Sequence, residues 1–95
     1  MLLCLDVGNT HIYAGVIDAG VIKHRFRYPT ADQSQTSDVL GVFLRSVLRE
    51  NSIDYKSINH VAIASVVPDF DYSIRVAVVK YLDCEPFFLQ AGVKT

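Results

Sequence analysis

The sequence predicts an α/β domain with a mixed five-stranded sheet, in the element order β-β-β-α-β-α-β. Two patterns support this prediction: short apolar runs rich in β-branched residues, and two longer segments whose apolar residues recur at helical spacing. Early runs separated by tight turns indicate antiparallel strands, whereas later runs separated by helices indicate parallel strands joined by right-handed crossovers. The 95 residues are enough for one small domain, 1–95, with helices packed on the sheet.

The first three predicted strands form a meander. Residues 2–7 are nearly all apolar, as is typical of a central strand buried on both faces. Residues 11–17 and 21–28 each alternate between two faces, as in half-buried strands. A short turn ending in Gly20 joins these two strands, and glycine is the residue expected there.

Two helices and two more strands complete the prediction. After a polar stretch at 30–36, apolar residues between Val39 and Leu48 recur at helical spacing and define one apolar face. Residues 58–67 are rich in β-branched residues and predict a second buried strand. Pro68 opens a second helix that reaches Leu82, and residues 87–89 form a last short strand.

Composition excludes several classes of protein. The formal net charge is -1 and the charges are mixed, so no electrostatic footprint for nucleic acid is present. No apolar stretch approaches the roughly 20 residues that cross a bilayer, and the N-terminus lacks signal-peptide features. We therefore expect a cytoplasmic protein without membrane contact. Its two cysteines, Cys4 and Cys84, show no metal-ligand spacing and are expected to be reduced.

The stretch Asp6-Val7-Gly8-Asn9-Thr10 stands between the first two strands. A buried and unpaired Asp6 would cost several kcal/mol, so we expect this carboxylate at the rim of the sheet or beside a cation. Gly8 permits positive φ and close approach of a ligand, and Asn9 tolerates the left-handed region. Amides in such a turn can bind phosphate oxygens while a carboxylate holds hydrated Mg²⁺. The same residues are also typical of an ordinary hairpin turn that binds no ligand.

Three motifs together are similar to one family. "LLCLDVGNTHIYAGV" at the start, "IASVVP" at 63–68 and "LQAGVKT" at 89–95 resemble the N-terminal half of type III pantothenate kinase. That family belongs to the actin-like ATPase and sugar-kinase superfamily, whose halves are ribonuclease-H-like domains. The opening motif is typical of the whole superfamily, whereas the three motifs in this order are specific to the family.

The resemblance implies a function and a set of site residues. The function is ATP-dependent phosphorylation of pantothenate, the first committed step of coenzyme A synthesis, by a homodimer that uses Mg²⁺ and K⁺ or NH₄⁺. Asp6, Val7, Gly8, Asn9, Thr10 and His11 match the family's first nucleotide-phosphate loop, with Asp6 holding Mg²⁺ through water. The loop would orient the phosphates and the metal, and phosphoryl transfer depends mainly on such positioning. A histidine in a strand is more often structural than ligand-binding, so the role of His11 stays open.

The chain also departs from the family. The Gly-Ala-Asp-Arg stretch with the catalytic base, the second phosphate loop, the monovalent-cation ligand and most of the pantothenate pocket follow the point where this chain ends. Residues 1–95 therefore contain no expected catalytic residue, and the strand-like end of the sequence looks like a cut in a longer chain. We therefore expect residues 1–95 to be one half of an enzyme, inactive without the other half. Two alternatives stay open: a non-catalytic accessory factor in gene expression, and a dimerising scaffold with the same fold.

A ribonuclease-H-like nuclease is an alternative class of enzyme for this sequence. Ribonuclease-H-like nucleases bind two metals with carboxylates at neighbouring strand ends, and Asp69 and Asp71 follow the fourth strand. Asp69 is better interpreted as the N-cap of the second helix. The basic residues Lys23, Arg25 and Arg27 alternate along the third strand and indicate a charged, solvated sheet edge.

Overall fold

The computed structural model describes residues 1–29 and 37–89. The predicted polar stretch at 30–36 and the last six residues, 90–95, lie outside this range. The elements, in chain order, are β1 (Leu2–Val7), β2 (His11–Asp18), β3 (Val21–Pro29), α1 (Ser37–Glu50), a 3₁₀ turn (Tyr55–Ser57), β4 (His60–Ser65), α2 (Pro68–Leu82) and β5 (Phe87–Leu89). Every predicted element is present, and the fourth strand is shorter than the predicted 58–67.

The sheet is mixed, with the strand order β3-β2-β1-β4-β5. β1 pairs antiparallel with β2 and parallel with β4, while β5 adds in parallel to β4. The meander and the two parallel additions are therefore confirmed. β3 forms one edge, and its exposed Lys23, Arg25 and Arg27 give that edge the charge expected of a protected sheet border.

β1 lies at the centre of the sheet but is buried on one face only. Leu3, Leu5 and Val7 are at most 2% exposed and point towards the helices. On the other face Cys4 is half-buried and Asp6 is exposed. The prediction that this strand is buried on both faces is therefore wrong for the described residues, because both described helices pack against the same side.

The core lies between the sheet and the two helices. Alternate residues of the central strands supply one layer, and the residues at helical spacing supply the other. The largest of the fully buried side chains are Leu3, Leu40, Leu44, Leu48, Ile63, Ile74 and Leu82. At roughly 1.5–3 kcal/mol for each buried aliphatic side chain, this layer is the main stabilising contribution to the domain. Within residues 1–29 and 37–89, no helix covers the opposite face of the sheet, which is called the open face below.

Polar groups connect the exposed surfaces of α1 and α2. Asp38 Oδ1 accepts hydrogen bonds from Lys80 Nζ at 2.8 Å and from Tyr81 Oη at 2.7 Å. The hydrogen bond from Lys80, with a smaller contribution from Tyr81, lowers the pKa of Asp38 below its ordinary 3.8. The bond to Asp38 raises the pKa of Lys80 above 10.5 and that of Tyr81 above 10.0. None of the helices in the described ranges is long and apolar enough to cross a membrane.

Candidate functional site

The predicted site residues form the hairpin between β1 and β2. Val7 pairs with Ile12 across the hairpin and with Ser65 of the parallel strand β4. The hairpin therefore lies at the carboxyl ends of β1 and β4. Ligands of open α/β sheets bind outside the carboxyl ends of parallel strands. The fold places the motif where such a ligand is expected.

Gly8 allows the tight closure of this hairpin. Its N–H donates to the carbonyl oxygen of His11 at 2.9 Å. A Cβ at this position would lie 3.3 Å from the same oxygen, closer than side chains normally come to a carbonyl. Neither Gly8 nor Asn9 has a positive φ, so the left-handed geometry that both residues permit is not used in this turn. The glycine serves close backbone approach instead of left-handed geometry.

The tip of the hairpin is accessible. Asn9 and Thr10 are exposed, and His11 is half-buried. His11 Nδ1 and Thr10 Oγ1 lie 3.2 Å apart in a hydrogen bond, and the His11 ring lies 5.9 Å from the ring of Tyr13 at a 45° tilt. These contacts give His11 a role in holding the loop.

Asp6 is exposed on the open face of the sheet, as predicted for a carboxylate at the rim. Its cross-strand partners are Tyr13 in β2 and Ala64 in β4. No cation lies within ion-pair distance of Asp6 in the described part of the chain, where the ion pairs are Arg75–Glu85 and Lys80–Asp38. An accessible carboxylate without a cationic neighbour is a suitable ligand for a hydrated divalent ion.

A hollow of about 360 Å³ adjoins Asp6 on the open face. Its floor is formed by small side chains on the three central strands, and Tyr13 and Leu89 stand at opposite sides. The lining residues are Cys4, Leu5, Asp6, Tyr13, Gly15, Ala62, Ala64 and Leu89. The candidate site thus consists of an accessible hairpin with one carboxylate, next to a mostly apolar depression.

The second motif, at 63–68, forms the neighbouring strand end. Val66 N–H donates to the carbonyl oxygen of Val7 at 3.0 Å and ties this turn to β1. Ser65 Oγ accepts from Val67 N–H at 3.1 Å. Of the third motif, at 89–95, only Leu89 is described, so Lys94 and Thr95 lie outside the described residues.

Asp69 is not the cap of α2. The N-cap residue is Val67, which makes no side-chain capping bond, and Asp69 lies in the first turn together with Asp71. The cap prediction is therefore wrong, because Pro68 already occupies the first helical position. Both carboxylates still interact favourably with the positive, amino-terminal end of the helix dipole. No group of three or more potential metal ligands occurs among the described residues.

Tyr13 is the residue of the site that sequence reasoning missed. The sequence could have indicated Tyr13 only through its position: it lies two residues after His11, and pairing across a short hairpin brings it opposite Asp6. Tyrosine is common in strands, so this position did not stand out.

The five-stranded order with a leading meander and both described helices on one face defines a ribonuclease-H-like half-domain of the actin-like ATPase class. Its candidate phosphate hairpin follows the first strand. A family model described as type III pantothenate kinase matches residues 2–95, and the chain belongs to that family. The resemblance seen in the three motifs is thereby confirmed.

Relatives with this name are similar along all or nearly all of this chain. A type III pantothenate kinase of Legionella pneumophila (strain Corby) is 58% identical over 95 residues, which cover 100% of this chain and 36% of that protein. Type III pantothenate kinase 2 of Francisella tularensis subsp. holarctica (strain OSU18) is 49% identical over 89 residues, or 94% of this chain and 35% of that protein. The chain thus spans about a third of the length of these relatives.

Proposed function

We propose that this chain is the part of a pantothenate kinase that binds the ATP phosphates and Mg²⁺. The reaction is ATP-dependent phosphorylation of pantothenate to 4'-phosphopantothenate, the first step of coenzyme A biosynthesis. Family membership supports the reaction. The observation that carries the assignment to this chain is the accessible hairpin after β1, with Asp6 beside it at the carboxyl edge of the sheet.

The proposed roles follow from the geometry of the hairpin. Backbone N–H groups of Asn9 and Thr10, with the Thr10 hydroxyl, would hold phosphate oxygens at the accessible tip. Asp6 would hold Mg²⁺ through retained water, since this ion prefers one or two carboxylates and keeps much of its hydration shell. The bound metal would supply charge neutralisation for the transferred phosphoryl group. The tight closure at Gly8 would keep the tip in one geometry before the ligand arrives.

The remaining parts of the reaction are assigned to residues beyond this chain. These parts are the catalytic base, the second phosphate loop, the ligands of K⁺ or NH₄⁺ and most of the pantothenate pocket. The complete enzyme is proposed to be a cytoplasmic homodimer. We expect the purified 95-residue chain to form no 4'-phosphopantothenate, and turnover by this chain alone would contradict that expectation.

A chimaera tests the proposal. Residues 1–95 would replace the matching first third of the Legionella pneumophila relative, with which they are 58% identical. The chimaera should phosphorylate pantothenate with ATP, and Asp6→Asn in it should lower kcat strongly. Asp18→Asn, at the far end of β2, is the matched control and should leave kcat unchanged. A folded chimaera that turns over equally well with Asp6→Asn would contradict the proposed role of Asp6.

One observation favours a second candidate, a dimerising scaffold. Tyr13, Phe87 and Leu89 are each about half exposed (53%, 50% and 50%) on the open face of the sheet. Contiguous exposed apolar surface favours association. Sedimentation equilibrium of the unaltered chain and of Leu89→Glu distinguishes the scaffold from the phosphate-binding part of a kinase. A dimer that Leu89→Glu dissociates, in a chain that does not respond to Mg·ATP, would support the scaffold. A non-catalytic accessory role would leave the hairpin without any ligand response.

A further inference from the structure

Tyr13 lies directly beside the carboxylate of the proposed site. It is the cross-strand partner of Asp6, and Cβ atoms of opposite residues in antiparallel strands lie about 4.5–5.5 Å apart. Ile12 and Ala14, its neighbours in sequence, are buried against the helices, so Tyr13 projects from the open face together with Asp6. The two side chains therefore border the same space.

The Tyr13 ring also contacts the ring of His11, two residues earlier in the same strand. It lies 5.9 Å from the His11 ring, and His11 in turn is hydrogen-bonded to Thr10. The three residues form a continuous wall from the tip of the loop to the cross-strand partner of Asp6. A group bound between Thr10 and Asp6 would meet Tyr13 along this wall.

The phenol hydroxyl of Tyr13 is available to a ligand. The side chain is 53% exposed, and within the described part of the chain its hydroxyl makes no hydrogen bond. An ordinary exposed tyrosine of a strand would show the same exposure. The position between a carboxylate and a loop-holding histidine, at the side of a 360 Å³ hollow, distinguishes this one.

We propose that Tyr13 is a further ligand-contacting residue of this site, whose hydroxyl donates a hydrogen bond to a phosphate oxygen of Mg·ATP. This inference rests on the proposed function and adds a residue to it. The contact between the Tyr13 and His11 rings positions the hydroxyl. Removing the hydroxyl alone and removing the whole ring should therefore have different effects on ligand binding.

The test is a Mg·ATP titration of the chain followed by backbone amide NMR. Tyr13→Phe keeps the ring and removes the hydroxyl, and should raise Kd about tenfold or more, the loss expected for one hydrogen bond to a charged group. Tyr13→Ala should raise Kd further and should also shift the His11 resonances before ligand is added. Tyr55→Phe is the matched control, because Tyr55 lies near the amino end of β1 under the Arg45 guanidinium, and it should not change Kd.

The outcomes separate this inference from the function on which it rests. Saturable shifts that Asp6→Asn abolishes and Tyr13→Phe leaves at the original Kd would overturn the assignment of Tyr13 alone. No response of the unaltered chain would contradict phosphate binding by this chain, and the assignment of Tyr13 with it. A Kd raised by Tyr13→Phe but not by Tyr55→Phe would support both.

Discussion

Gly41 in α1 lies against the aromatic ring of Tyr81 in α2, and replacing it tests how closely the two helices pack. A Cβ at position 41 would lie 2.5 Å from Tyr81 Cγ and closer still to Cδ2. Because Cγ is the root of the ring, rotating the ring cannot remove this overlap. Gly41→Ala must therefore displace Tyr81 or separate the helices.

The magnitude follows from two opposing effects. Alanine in place of glycine inside a helix stabilises it by about 1 kcal/mol. Overpacking a close contact costs about 1–3 kcal/mol and sometimes more. The overlap here is severe, and moving Tyr81 also breaks its 2.7 Å hydrogen bond to Asp38. The overpacking cost of Gly41→Ala should therefore lie at or above the top of that range. We expect a net loss of about 2 kcal/mol or more in the free energy of unfolding.

Urea unfolding of the variants measures this loss. Gly15→Ala is the matched control, since a Cβ there would lie 3.9 Å from the His24 carbonyl oxygen, at ordinary contact distance. Tyr81→Leu in the Gly41→Ala background should recover part of the loss, because it removes the ring. If Gly41→Ala instead stabilises the chain by the amount that helix propensity alone predicts, the close packing of α1 on α2 is refuted.

Two further predictions concern the hairpin and the helix surface. Gly8→Ala forces the His11 carbonyl to move by a few tenths of an ångström, so it should weaken the response to Mg·ATP in NMR titrations while the cooperative urea transition remains; an unchanged Kd would show that hairpin closure does not matter for binding. Because the pKa of Asp38 is lowered in the folded chain, its contacts with Lys80 and Tyr81 stabilise the fold above pH 3.8, and this contribution is lost as the pH falls through the folded-state value. Asp38→Asn should therefore reduce stability more near neutral pH than at pH values below the folded-state pKa of Asp38, and an equal effect in both ranges would contradict the ion pair.

The sequence was sufficient to predict the elements of this fold and the hairpin that forms the candidate site. Helical spacing between Val39 and Leu48 correctly predicted a buried face in α1, on which Leu40, Leu44 and Leu48 are each 1% exposed. It was wrong for Val39, at the start of the helix, which is 49% exposed. The hairpin at Asp6 and Gly8 followed from turn chemistry and from the order of the strands.

What the sequence could not supply depends on contacts between distant residues or on details of the backbone. The one-sided burial of β1 depends on which face of the sheet the helices cover. The same run of apolar residues would suit a strand buried on one face or on both. Gly41 looked like an ordinary helical residue, since nothing local indicates that Tyr81 packs on it forty residues later. Gly8 and Asn9 suggested left-handed geometry, whereas the turn closes without it.

The central claim is that the hairpin after β1 binds the phosphates of Mg·ATP. The most direct measurement is a Mg·ATP titration of the unaltered chain followed by backbone amide NMR, with Asp6→Asn beside it. The account predicts saturable shifts concentrated at Gly8, Asn9 and Thr10 that weaken in the variant. Shifts that never saturate, or that spread over exposed basic residues such as Arg45 and Arg49 with the hairpin silent, would contradict it.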